Sequence, residues 1–235
     1  MVDTKQVKRL FETYFADIWT TEHLNDYEYL IQPDGTIQVP NNHLYMSKSA
    51  PNGMLPVKFG IVGGSFILDK RRLTTLAGAP TEVWGDFNCS KNLLTSLAHA
   101  PTKVHNDLDC SYNNITSLEH CPTVGILDCS HNLLTDLTHA PPCDQLYAHN
   151  NPMESFKHTP DHIGTVVISY GATLPLLGLL SVQKIDLVPT TDFPNRSVIQ
   201  PIEQILNKYT RQGRAGQIMC AAELVRAGYK DHARW

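Results

Sequence analysis

LTTLAGAPTEVWGDFNCSKN (73–92), LTSLAHAPTKVHNDLDCSYN (94–113), ITSLEHCPTVGILDCSHN (115–132) and LTDLTHAPPCDQLYAHNN (134–151) are four versions of one unit. Their first residues lie 21, 21 and 19 positions apart. A fixed period in this range marks a stack of small supersecondary units, each covering the apolar face of the next. Every copy carries two alternating apolar positions: Phe87 and Cys89, Leu108 and Cys110, Leu127 and Cys129, Leu146 and Ala148. Alternation places both side chains on one face of a short strand. One such strand cannot bury that face alone, but parallel copies stacked on each other can.

The same alternation extends outward. GGSFILDKRRL aligns with WGDFNCSKNLL, which sets Phe66 and Leu68 against Phe87 and Cys89. Val166 and Ile168, then Ile185 and Leu187, continue the series downstream. Parallel strands are therefore expected near residues 66, 87, 108, 127, 146, 166 and 185. Three residues after the second strand position stands an Asn: Asn92, Asn113, Asn132 and Asn151. Its amide both donates and accepts, so a ladder of these side chains suits the backbone groups that a turn leaves open. Between strands each copy has a Pro (Pro80, Pro101, Pro122, Pro141). Pro lacks an N–H and disfavours helix in the residue before it, so the return segments should be extended or short 3₁₀ turns.

The flanks read differently. Residues 3–20 have helical spacing of Val7, Leu10, Phe11, Tyr14, Phe15 and Ile18, with Asp3 suited to cap the start. YEYLIQPDGTIQV predicts a hairpin about Pro33-Asp34-Gly35, and the loop after it has room for one short strand. After a linker at 189–197, two helices are expected. One runs from Pro201 to Tyr209 with Ile202, Ile205 and Leu206 on one face. The other runs from Arg214 to Ala227 with Ile218, Met219, Ala222 and Val225 as its apolar face and Gly228 as its stop.

Composition narrows the function classes. The net charge is −4 and charged residues make up 18% of the chain, with no strongly basic patch, which argues against nucleic acid as partner. MVDTKQVKRLFETY lacks the apolar core of a signal peptide, and no uninterrupted run long enough to span a bilayer occurs, so a cytoplasmic location and no membrane association are expected. Of the six cysteines, Cys89, Cys110 and Cys129 take inward strand positions and Cys143 aligns with Val104 and Val124. That usage fits reduced, buried thiols rather than a disulfide framework.

The pattern L-x-L-x-x-N-x-L is the mark of a leucine-rich repeat. With LTSL, a Pro, a V and L-x-C-S-x-N in each copy, the central half resembles the short repeats of bacterial and bacteriophage proteins. From LPVKFGIVGGSF to ILNKYTRQGRAG and AAELVRAGYKDHARW, roughly residues 55–235, the chain resembles leucine-rich-repeat proteins of tailed bacteriophages. The resemblance implies an α/β repeat fold: a helix-and-hairpin cap at 1–54, a leucine-rich-repeat solenoid with short parallel strands at 55–188, and a linker with a helical cap at 189–235. It carries no agreed activity. Secreted bacterial ubiquitin ligases have a related repeat, but they use a nucleophilic Cys in a large helical domain. Here Cys220, the only Cys after the repeats, sits in the apolar stretch IMCAAEL.

Aligning the copies gives the columns expected on the concave face. One reads Ile67, Asn88, Asp109, Asp128, Tyr147, Val167; another reads Lys70, Lys91, Tyr112, His131, Asn150, Tyr170. Tyr and His side chains of this kind anchor protein interfaces. The residues expected to bind a protein partner are Lys91, Asp109, Tyr112, Asp128, His131, Tyr147, His149 and Tyr170. A second column, Gly78, His99, His120, His139, His158, is flat rather than convergent, so it suits a metal poorly. No nucleophile–base set, phosphate loop or paired carboxylates stand out, and GIVGG is too short for a dinucleotide loop. The expected function is a non-enzymatic interaction module without cofactor or metal, phage-encoded, acting in the bacterial host cytoplasm on a host or viral protein in takeover, counter-defence or as a trigger of immunity. Two rivals stay open: a structural protein that assembles into a homo-oligomer or ring, and an activity housed in the C-terminal helices.

Overall fold

The computed structural model describes residues 2–15, 29–192 and 195–234. The chain divides into two compact units, Met1–Ile115 with Glu119–Gly125, and Thr116–Leu118 with Ile126–Trp235. Both are built as parallel-strand solenoids.

The first unit opens with helix α1 (Thr4–Phe15), capped where Asp3 Oδ1 accepts from the Lys5 and Gln6 N–H groups. The remainder of the helix expected to residue 20, Ile18 included, lies outside the described residues. A hairpin follows, β1 (Leu30–Ile31) and β2 (Ile37–Val39), paired antiparallel. Its turn places Gly35 at φ +84°, a region that costs side-chain-bearing residues far more than glycine. The loop after it does contain a strand, β3 (Leu44–Tyr45). Then come β4 (Phe59–Val62), β5 (Phe66–Ile67), β6 (Glu82–Val83), β7 (Phe87–Asn88), β8 (Lys103–Val104) and β9 (Leu108–Asp109).

These strands form two sheets. In the first, β3-β5-β7-β9, Leu44 pairs with Phe66, Phe66 with Phe87, and Phe87 with Leu108, all parallel. In the second, β1-β2-β4-β6-β8, Val62 pairs with Val83 and Val83 with Val104. The proline-bearing return segments are thus extended and paired, not helical. Solenoid pairing begins at Ile37 and Leu44, ahead of the Leu55 start expected from the repeats. GIVGG owes its glycines to contact: a Cβ on Gly63 would lie 1.5 Å from the Pro40 carbonyl oxygen. Between the sheets, Phe11 and Phe15 of α1 meet Phe59 and Phe66, and Phe66 stacks on Phe87 at 6.0 Å. The end of this core is thereby covered by aromatic rings, each of which removes a large apolar area from water.

The second unit holds β10 (Ile126–Asp128), β11 (Cys143–Tyr147), β12 (Ile163–Ser169) and β13 (Lys184–Val188), again in parallel order. Leu127, Leu146, Val166 and Ile185 pair in succession, the register expected from the alternation. A 3₁₀ turn, Leu177–Ser181, fills one return segment. Helix α2 (Arg196–Lys208) and helix α3 (Gly213–Arg226) follow. Helix α2 starts five residues before the expected Pro201, because Asn195 caps it by accepting from the Ser197 N–H and hydroxyl. Pro201 then sits inside the helix and forfeits one backbone hydrogen bond.

The exposed edge of β13 is closed by α2. Ile185 N–H donates to Asn207 Oδ1 at 2.8 Å, and Asn207 Nδ2 donates back to the Ile185 carbonyl at 2.7 Å. Leu187 N–H donates to Glu203 Oε2, and the Arg196 guanidinium donates to the Leu187 carbonyl. Side chains thus supply the partners that a further strand would have given. An edge left open would invite pairing with another chain. No described helix is long and apolar enough to cross a membrane.

Candidate functional site

Each turn after a strand is held by its Asn. In the first unit, Asn92 Nδ2 donates to the carbonyls of Leu68, Cys89 and Ser90, while its Oδ1 accepts from the Arg71 and Leu73 N–H groups. Asn113 repeats this with Cys89, Cys110, Ser111 and Leu94. In the second unit, Asn132 donates to Cys129 and Ser130, and Asn151 donates to Cys129, Ala148 and His149 and accepts from Leu134. Asn92, Asn113 and Asn132 are buried, so these bonds replace water that the turn cannot reach.

The residue just before each Asn takes a left-handed backbone: Lys91 at φ 55°, Tyr112 at 54°, His131 at 54° and Asn150 at 55°; Lys70, which precedes Arg71 at the same position of an earlier turn, does so at 58°. The expected column is real, but it lies on these turns rather than on the strands. Its side chains project from a backbone that the neighbouring Asn fixes. The His column has a similar origin: Gly78, His99 and His120 are all at positive φ, where Gly, Asn and His are the favoured occupants. Among the described residues no three His, Cys, Asp or Glu side chains come together as a metal-holding group.

Asp109 and Asp128 are not the open carboxylates expected. Asp109 Oδ1 accepts from the N–H and hydroxyl of Ser111 at 3.0 and 2.6 Å. Asp128 does the same with Ser130 at 2.9 and 2.6 Å, and Asn88 with Ser90. Ser90, Ser111 and Ser130 are buried. These are side-chain-to-backbone turns two residues wide, and they explain the recurring triplets NCS, DCS and DCS.

Within the first unit the candidate surface contains Lys91, whose Nζ lies 5.6 Å from the centroid of the Tyr112 ring, with Tyr112 48% exposed. On the second sheet, Trp84, 55% exposed, stacks on His105 at 4.4 Å and 11°, and His105 Nε2 lies 2.8 Å from Glu82 Oε1. That cluster escaped the sequence reading, although Trp84 and His105 occupy the same position in adjacent copies.

Within the second unit the structure brings together His131, His149 and Asn150. Asn150 Nδ2 lies 3.0 Å from His131 Nε2 and 2.9 Å from His149 Nδ1, and the rings meet edge to face at 5.5 Å. An amide NH₂ only donates, so in this arrangement both of these ring nitrogens accept from Asn150. Burial depresses the pKa of His149; His131 adds to the shift and Asp128 opposes it. Tyr147 is half-buried and its hydroxyl donates to Gln145 Oε1. A cleft of about 640 Å³ opens beside Asn150 and is lined also by Met153, Glu154, Ser169 and Thr190.

Tyr170 lines that cleft but is not an outward anchor. It is 6% exposed, and its hydroxyl lies 3.1 Å from Nε2 of the buried His232, whose Nδ1 meets the Leu174 carbonyl. Burial, followed by Tyr229, raises its pKa. The alignment placed it in the column because its strand is longer; its backbone is not left-handed.

The six cysteines stand as thiols, with Cys121 alone partly exposed. Desolvation raises the pKa of Cys89, that of Cys143 to about 11 and that of Cys220 to about 12. A thiolate nucleophile requires the opposite shift. In comparisons with protein-family models, curated proteins and solved structures, nothing matches this chain.

Proposed function

We propose that this chain is a non-enzymatic leucine-rich-repeat interaction protein that binds a protein partner through the side chains projecting from its post-strand turns. One observation carries the reading. In both units the residues that recur from copy to copy are buried, while the left-handed position between them changes from Lys91 to Tyr112, and from His131 to Asn150. A constant frame with a changing outward residue suits recognition, and aromatic side chains at such positions anchor interfaces. In this proposal residues 1–54 and 189–235 act as the end caps of the repeat stack. The closed β13 edge supports a role other than strand-edge assembly.

The resemblance to tailed-phage repeat proteins extends the proposal to its setting: the cytoplasm of a bacterial host, with a host or viral protein as partner. The test is a pull-down from infected bacterial cells with the parent chain and with Tyr112→Asn/Tyr147→Ala. Asn tolerates the left-handed backbone, so the fold should persist. The parent should retain a partner that the variant loses at least about tenfold, as expected for anchors each worth more than about 1 kcal/mol. Equal capture by both would reject this surface.

A further inference from the structure

The apolar face expected to bury α3 points outward instead. Ile218 is 61% exposed, Met219 54% and Val225 54%, and Ala215 and Ala222 are also exposed. The covered face is made by Gly216, Cys220 and Leu224. Gly216 is part of that fit: a Cβ there would lie 2.4 Å from Gln212 Cβ. The helix is therefore apolar on both sides, a pattern that belongs to a helix covered on both sides. Ala215, Ile218, Ala222 and Val225 follow the alternating three- and four-residue spacing of a helix–helix seam, with Met219 beside it.

Charge decides what fits. At about 100° per residue, the exposed arc of α3 contains those five apolar side chains and two charges, Arg214 and Arg226. Both are cations and both are exposed. The one carboxylate on the helix, Glu223, stands at the edge of this arc beside Met219 and is already engaged: Lys208 Nζ donates to it at 2.8 Å and the Tyr209 hydroxyl also donates. Two copies of this face would set cation against cation. An antiparallel pair brings Arg214 to Arg226, and a parallel pair brings each to its own copy. Arg214 also stands in the first turn of α3, where the helix dipole favours negative charge nearby.

We infer that the outward face of α3 is a docking seam for an amphipathic helix of another protein, one that carries small and branched apolar residues along its contact stripe and carboxylates on both flanks. This surface is separate from the post-strand turns and does not depend on their role.

The test uses the full chain against a displayed library of helical peptides with apolar seam positions held and flanking positions randomised. Enriched peptides should carry Asp or Glu on the flanks. A chosen peptide, measured by fluorescence anisotropy, should bind Ile218→Ser/Val225→Ser at least tenfold more weakly. Arg214→Glu/Arg226→Glu should shift enrichment toward Lys and Arg. These residues are exposed, so circular dichroism should be unchanged in both variants. The inference is overturned if no peptide is enriched, if enrichment ignores charge, or if affinity survives Ile218→Ser/Val225→Ser. Sedimentation velocity gives an independent outcome: self-association of the parent that Ile218→Ser abolishes would make a second copy the occupant and overturn it too.

Discussion

Asn113 Oδ1 accepts the backbone N–H of Leu94 at 3.0 Å, joining the last residue of one copy of the repeat to the first. The same amide donates to the carbonyls of Cys89, Cys110 and Ser111. One buried side chain therefore satisfies four backbone groups in two rungs. Asn113→Leu would keep the volume and strand all four. With a penalty of about 1–3 kcal/mol for a buried group left unpaired, and partial relief by relaxation, the expected loss is about 3 kcal/mol or more. Urea denaturation measures it. Asn113→Asp should also destabilise, since it keeps the acceptor for Leu94 but loses the donor. A loss under about 1 kcal/mol for the Leu variant would mean that water reaches these turns.

The left-handed turns make a prediction that runs against strand propensity. Lys91 is exposed at φ 55°. Lys91→Gly removes a cation facing the Tyr112 ring, worth about 0.5–1 kcal/mol at an exposed site, but relieves a backbone cost of about 1–2 kcal/mol. Lys91→Val forfeits the same contact and adds a branched side chain where φ is positive. The Gly variant should be the more stable of the two by about 1 kcal/mol or more in thermal or urea melts. An ordinary strand position would rank them the other way, because Gly weakens strands.

His149 ties stability to pH. Burial holds its folded-state pKa below the ordinary 6.5, so the unfolded chain binds the proton more readily. Stability then rises with pH where the two states differ. The contribution is intact above the ordinary imidazole value and declines as pH falls from there toward the depressed one. Protonation also removes the nitrogen that accepts from Asn150. The melting temperature should fall between about pH 7.5 and 5, and His149→Gln should flatten that slope. An identical slope in the variant would place the dependence elsewhere.

How far the residues alone disclose this architecture depends on the kind of signal. The two-residue alternation at Leu127 and Cys129, or Leu146 and Ala148, is strict because a one-residue slip would turn every apolar side chain outward. The parallel register Leu127–Leu146–Val166 could therefore be read directly from it. The recurring Asn was legible for a similar reason, since few side chains both donate and accept. The conformation of Tyr112 was not, because a left-handed φ leaves its mark through Gly, Asn and His, and Tyr is none of these. Asp109 and Asp128 looked like surface charge, when the constant Ser two residues later was the evidence for a closed turn. For α3, helical spacing marked Ile218, Met219, Ala222 and Val225 as the apolar face, whereas the fold covers Gly216, Cys220 and Leu224.

The last prediction concerns the β13 edge. Asn207 and Glu203 occupy the hydrogen-bonding positions that a further strand would take beside Ile185 and Leu187. Asn207→Leu/Glu203→Leu keeps much of the bulk of α2 against the sheet but withdraws these partners. The N–H of Ile185, the carbonyl of Ile185 and the N–H of Leu187 would be left unpaired, and Arg196 would lose Glu203 while retaining Asp186. Two outcomes are expected together. Stability should fall by about 2–4 kcal/mol in urea melts, from the orphaned groups. The variant should also gain concentration-dependent association in sedimentation velocity, because an unpaired strand edge offers a template to another chain. Exchange of the Ile185 and Leu187 amides with deuterated solvent should accelerate at low protein concentration and slow as association closes the edge again. A variant that loses stability but stays monomeric, with those amides still protected, would show that α2 shields the edge by packing alone, and that its side-chain hydrogen bonds are not what keeps the edge closed.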